Sequence, residues 1–215
     1  GQPDKPTTTM PLSDAKIAEW EAIALAGGVI SSPCPYTISS SVVLGPKKIN
    51  CDLAITNSAQ VTLAGTVWVN GNITMSNSSS IKLDPALGSN SVALIADNPG
   101  NRTTSSIITI SNSAVFTNSG TNGSFLFLVS GNTSAQGGGQ TMAINIANSA
   151  SGAVALYANH GRVHIANSAQ IKSVTAYSMT MQNSAQLIYD DGLESALFDT
   201  GPGGSWNILN WKETQ

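Results

Sequence analysis

The stretch ITNSAQVTLAG, residues 55–65, decides how the rest of the chain is read. Ile55, Asn57, Ala59, Val61 and Leu63 share one parity, with mostly polar residues between them. Alternation with a period of two describes a strand with one buried face. The triplet Asn-Ser-Ala at its centre returns at Asn112, Asn148, Asn167 and Asn183, and as Asn-Ser-Ser at Asn77. The frame around it also returns, as Ile108, Ile110, Asn112, Ala114, Phe116 and as Met179, Met181, Asn183, Ala185, Leu187.

Successive copies of the Asn lie 20, 35, 36, 19 and 16 residues apart. The two long gaps are close to twice 18, which predicts a period of about 18 residues with two coils whose triplet has drifted. In those coils SVALIAD (91–97) and SFLFLVS (124–130) supply the apolar strands. A fixed inward pattern at a constant period is the signature of a stacked solenoid. A β-sandwich also gives short strands and turns, but does not demand the same residue once per period. The expected fold is all-β, a right-handed parallel β-helix of about 18 residues per coil. The Asn residues fall on the inward parity, where a polar group is costly unless bonded. They are therefore expected to form a structural ladder, each amide bonding the one a coil away, in corners whose left-handed backbone Asn tolerates.

Cys34 and Cys51 are 17 residues apart, about one coil. Strands about 4.8 Å apart fall within the Cα separation a disulfide accepts. A bridge between the first two coils is expected, with an oxidising, extracytoplasmic compartment as its corollary. Two buried free thiols are the alternative.

Upstream, residues 1–12 read as a Pro- and Thr-rich linker. SDAKIAEWEAIALAGG, residues 13–28, carries a helix signature: Ser13 as N-cap, Asp14 in the first turn, Ile17, Trp20, Ile23 and Ala24 at helical spacing, Gly27-Gly28 as the stop. This helix is expected to cap the solenoid that fills residues 29–215 as one functional domain. Leu193, Phe198, Trp206, Ile208 and Trp211 suggest a second cap over about 190–215, since an open rung is a sticky edge.

Only 10% of the residues are charged, against about 25% in ordinary domains, and the net charge is −3. With no Lys/Arg cluster, no nucleic-acid partner is expected. Asp190-Asp191-Gly192 and Asn159-His160-Gly161-Arg162 look superficially like the motifs of pectin-degrading β-helix enzymes. Their order is reversed, and adjacent aspartates on a strand point to opposite faces, so they make no acid/base pair. His160 and His164 have no third ligand nearby, and Asp84, Asp97 and Asp199 hold Ca²⁺ only if the fold gathers them. No catalytic residue, metal or cofactor is assigned.

The loops DNPGNRTTSS (97–106) and SGNTSAQGGGQT (130–141) break the coil period, and loops on a rigid scaffold often carry recognition. Asn101, Arg102, Asn132 and Gln136 are the candidate surface-binding residues they offer. Trp68, on the parity opposite Val67 and Val69, joins them as a side chain expected to be exposed. Asn72, Asn77, Asn101, Asn122 and Asn132 open Asn-x-Ser/Thr sequons of a kind this composition yields by chance.

The run LYANHGRVHIANSAQIKSVTAYSMTMQNSAQLIYDDGL (156–193) resembles the C-terminal β-helical region of minor-pilin-like type IV pilus assembly proteins. Tyr157, Ala158, Gly161, Asn167, Ala169, Asn183, Ala185, Tyr189, Asp190, Gly192 and Leu193 carry the likeness. PLSDAKIAEWEAIALAGG, LGPKKINCDLAI, GTVWVNGNITMSN and GPGGSWNILNWKE also look like envelope proteins of that kind. The resemblance implies a pilus or cell-surface location, pilus subunits or surface glycans as partners, and an anchoring pilin-type helix upstream of Gly1. It implies no catalytic residue. The expected function is a non-enzymatic structural or adhesive domain. A carbohydrate-binding adhesin or a polysaccharide-degrading β-helix enzyme stands as the alternative.

Overall fold

The computed structural model describes residues 12–190 and, as backbone alone, a strand at Leu197–Phe198. Three short strands make each coil. The first coil holds β1 (Val29–Ile30), β2 (Tyr36–Ile38) and β3 (Val42–Leu44). The second holds β4 (Lys47–Ile49), β5 (Leu53–Ile55) and β6 (Gln60–Leu63), and the third β7 (Val67–Val69), β8 (Ile73–Met75) and β9 (Ser80–Leu83). The fourth holds β10 (Asn90–Ala96), β11 (Ile108–Ile110) and β12 (Val115–Thr117). The fifth holds β13 (Leu126–Ser130), β14 (Met142–Ile146) and β15 (Ser151–Gly152). In the last two coils the first pair of strands fuse, giving β16 (Val154–Ile165) with β17 (Gln170–Ile171) and β18 (Ser173–Met181) with β19 (Gln186–Leu187).

Every strand pairs in parallel with its counterpart one coil on, which is a parallel β-helix with three faces. The first face runs β1-β4-β7-β10-β13-β16, the second β2-β5-β8-β11-β14-β16, and β18 extends both. The third is the seven-stranded sheet from β3 to β19. Inward Leu53, Ile73, Ile108, Ile144 and Val163 stack in register, all but fully buried, and similar columns line the other faces.

The two long gaps in the Asn series are not skipped coils. Ile73 pairs directly with Ile108, and Ile108 with Ile144, so 35 and 36 residues make single coils. The extra length lies in insertions at two corners, 84–90 and 118–125 before the first face and 97–107 and 131–141 after it. SVALIAD and SFLFLVS are the first-face strands of these large coils, not coils of their own.

The Asn-Ser pairs stand at the corner between the second and third faces, both residues at positive φ, as in Asn57 (55°) and Ser58 (57°). Two left-handed residues in succession reset the two-residue alternation. Asn57, Asn77, Asn112, Asn148, Asn167 and Asn183 are therefore exposed and not inward; the residue after the pair, Ala59, Ala114 or Ala150, is the one buried. The ladder exists on the outside. Asn183 donates to Asn167 (2.9 Å) and Asn167 to Asn148 (3.0 Å), while Asn77 donates to Thr56 Oγ1 (3.0 Å).

Helix α1 (Asp14–Ala26) begins with Ser13 accepting from the Lys16 N–H. At its end Gly28 takes φ 106°, and a Cβ on Gly27 would lie 2.1 Å from the Pro46 carbonyl. The helix does not cap an end. It lies along the outside of the first face, with Leu12 against Tyr157 of β16 and Gly27 beside Lys47 of β4. Thirteen residues at about 1.5 Å each span about 20 Å, and four strand spacings of about 4.8 Å come to about 19 Å. The reason for this placement is the outer surface of the face itself. Ala93, Ile95, Val129 and Tyr157 point outward, and with Leu12 and Trp20 they form a second apolar cluster joined by Ile17, Ile23, Trp68 and Phe127. Trp20 is 1% exposed, its ring centroid 6.5 Å from that of Phe127.

Cys34 and Cys51 form the disulfide that ties the first coil to the second, with Cα atoms 5.9 Å apart. At the other end the core-facing Met179 and Leu187 of the seventh coil are 46% and 48% exposed. The expected cap over 190–215 lies outside the described residues, except that β20 (Leu197–Phe198) pairs with Asn90 and Ser91 of β10.

Candidate functional site

The insertions 97–107 and 131–141 stack on each other at the corner between the first and second faces. Thr133 N–H donates to the Arg102 carbonyl (3.0 Å), and Ser130 Oγ to the Ser106 carbonyl (2.5 Å). Asn132 is 0% exposed; its Nδ2 donates to the Ser105 carbonyl (2.8 Å) and its Oδ1 accepts from Ser134 N–H (3.0 Å). Asn132 therefore fastens the two loops together and offers nothing to a partner. Asn101 and Gln136 are exposed, and Gln136 N–H donates to the His160 carbonyl (3.1 Å). Between the loops lies a shallow depression of about 430 Å³ lined by Thr103, Thr133, Ser134, Gln136, Gly137 and Gly139.

On the helix side of these loops a charged cluster closes over the first face. Arg102 holds both carboxylate oxygens of Asp97, through Nε at 2.7 Å and Nη2 at 2.5 Å. Asp97 sits where β10 ends, and a Cβ on Gly131 one coil on would fall 2.3 Å from its Oδ1. Glu21 of α1 comes down against this pair. Burial first, then hydrogen bonding with Asp97 and its charge, push the Glu21 carboxyl up to about 8, against the pull of Arg102 and Lys48. Its Oε1 is buried with no donor in reach. The hydrogen bond to Asp97 raises the Arg102 guanidinium in turn.

At the start of α1, Asp14 accepts from Asn159 (3.2 Å) and pairs with His160 Nε2 (3.1 Å). Partial burial works against ionisation there, but the hydrogen bonds from His160 and Asn159 outweigh it and hold the Asp14 carboxyl below its ordinary value. Tyr157 donates its hydroxyl to the Leu12 carbonyl, and burial pushes it up to about 12.

Trp68 keeps the outward parity expected of it but is not free. The helix half-covers it, its Nε1–H donates to the Asp97 carbonyl (2.8 Å), and Lys48 Nζ lies 3.7 Å above its ring. With Tyr157 only 3% exposed, neither side chain offers an open aromatic shelf; Tyr177, in the last coil, is exposed. The cleft among Asp14, Glu21, Asp97, Arg102, Asn159 and His160 measures about 60 Å³, far below the few hundred Å³ of a usual ligand pocket. Glu21 and Asp97, two of the three carboxyls that line it, interact by hydrogen bonding, a closer approach than the roughly 5–10 Å between the two acids of a glycosidase. Among the described residues no three His, Cys, Asp or Glu side chains gather to hold a metal ion.

No family model, curated protein or solved structure matches this chain.

The helix-covered face was missed in the sequence, although a signal was there. SVALIA, SFLFLV and AVALYA are apolar on both parities, as a strand buried on both sides must be.

Proposed function

We propose that this is a non-enzymatic extracytoplasmic structural domain of a pilus-associated or cell-surface protein. The observation that carries this reading is the disulfide-tied stack of coils braced along its flank by α1. A bridge between the first two coils is compatible with an oxidising compartment. The second face is a flat, mostly uncharged wall of Thr74, Thr109, Asn145, His164 and Thr180 in register, a surface suited to broad contact. The test uses the full natural protein in its own cell. Labelling intact cells with an antibody to this domain, and probing sheared surface appendages with it, should both give signal. Recovery only from the cytoplasmic fraction sinks the reading.

A second reading, a carbohydrate-binding adhesin, draws on the depression between the stacked loops, whose lining is hydroxyl, amide and backbone groups. Binding on a glycan array that Gln136→Ala weakens would support it. An array without signal leaves the structural reading alone in place.

A further inference from the structure

We propose that Glu21, Asp97 and Arg102 form a pH-sensitive latch that holds α1 on the first face and loosens as the surroundings become alkaline. The geometry carries the argument. Asp97 is fixed from three sides, by Nε and Nη2 of Arg102, by the close approach of Gly131 and by the backbone bond from its N–H to the Val69 carbonyl. It cannot swing away from an incoming charge. Glu21 enters the same narrow cleft from the helix, its Oε1 buried with no donor, and this sets its carboxyl beside that of Asp97 at the seam between α1 and the solenoid. One proton between them makes a hydrogen bond across that seam; without it, two negative charges face one guanidinium whose Nε and Nη2 are already committed to Asp97.

The other charges at the seam do not rescue the ionised pair. Among the described residues Lys48 of β4 is the other cation that acts on Glu21, and it lies over the Trp68 ring. The other charged contact at the seam, Asp14 with His160 Nε2 at 3.1 Å, stands at the start of the helix and does not include Glu21.

Release frees Glu21 into water, where it ionises near its ordinary 4.5, whereas on the face it holds its proton up to about 8. Between these values opening therefore releases a proton and becomes easier as pH rises. Its limit is about tenfold per pH unit for one proton, and it levels off above about 8.

Hydrogen exchange on the full chain tests this, comparing peptides from α1 and β14 between pH 5 and 9, with E21Q as the matched variant. In the wild type, the exchange of α1 relative to β14 should climb several-fold per pH unit up to about 8 and then flatten. In E21Q it should stay level. The wild-type comparison stands by itself if the variant folds poorly. A level wild-type profile overturns the latch. So does a rise that survives in E21Q, or one that β14 shares equally.

Discussion

The Ser58 N–H donates to the Asn77 carbonyl one coil on, at 3.0 Å, and this bond recurs at every Asn-Ser corner to Asn183. Ser78 reaches Asn112, Ser113 reaches Asn148, Ser149 reaches Asn167 and Ser168 reaches Asn183. The corner, where a coil would otherwise lose its hydrogen bonds, thus carries the backbone ladder from the second face into the third. Two adjacent left-handed residues aim these groups along the stack. The left-handed conformation costs most residues about 1–2 kcal/mol, and Asn is the common exception to it.

Asn167 should matter more than Asn57. Asn57→Leu loses only the tolerance of a left-handed backbone and should cost about 1–2 kcal/mol. Asn167→Leu also loses a donated and an accepted side-chain bond and should cost about 1 kcal/mol more. Asn57→Gly should be close to neutral. Urea denaturation of the three variants checks this. An Asn57→Gly as damaging as Asn57→Leu would mean that the side chain, and not the backbone, is what the corner requires.

Trp20→Ala should uncouple the helix from the solenoid. Trp20 fills the space above Phe127 and is almost wholly buried, so its loss should cost about 3–5 kcal/mol of the helix-to-face contact. The solenoid keeps its own core, so proteolysis should clip the chain before Val29 while the coils remain folded. Simultaneous loss of the whole domain would show that the helix is integral to the coils.

The period-two pattern, the recurring triplet and the 17-residue cysteine spacing are all local facts, and each was legible in the sequence. What was not legible depends on which residues are inserted and what they return to. A gap of 35 residues looks like two coils until Ile73 is seen against Ile108. Asn57 reads as inward only while each residue is taken to advance the alternation by one step, and a double left-handed corner does not. Asn132 looked available because it stands in a polar loop, yet the neighbouring loop buries it. The helix-covered face left a trace, since Ala93 and Ile95 alternate with Val92, Leu94 and Ala96, all of them apolar.

Reduction of Cys34–Cys51 should lower stability by about 3 kcal/mol, the chain-entropy value for a loop of this size. The bridge joins only the first two coils, so the loss should appear first there. Cys34→Ser with Cys51→Ser, followed by exchange mapping, should show early opening of residues 29–55 and little change in β11 or β14. An unchanged melting temperature would mean that strand pairing alone secures the first coil.

Gly131→Ala should strike the charged seam from a distance. A Cβ there would come within 2.3 Å of Asp97 Oδ1 and 2.7 Å of its Cγ, and the loop backbone behind it is held by Asn132. The Asp97 carboxylate must then turn out of the fork of Arg102. Overpacking of this kind costs about 1–3 kcal/mol, and here it should be accompanied by a lower carboxyl value at Glu21, whose charged neighbour has moved. Carbon-detected titration of Glu21 in both proteins reads this directly. A Glu21 titration identical to the wild type, in a variant that has lost stability, would show that Asp97 keeps its place and that the loop has yielded instead.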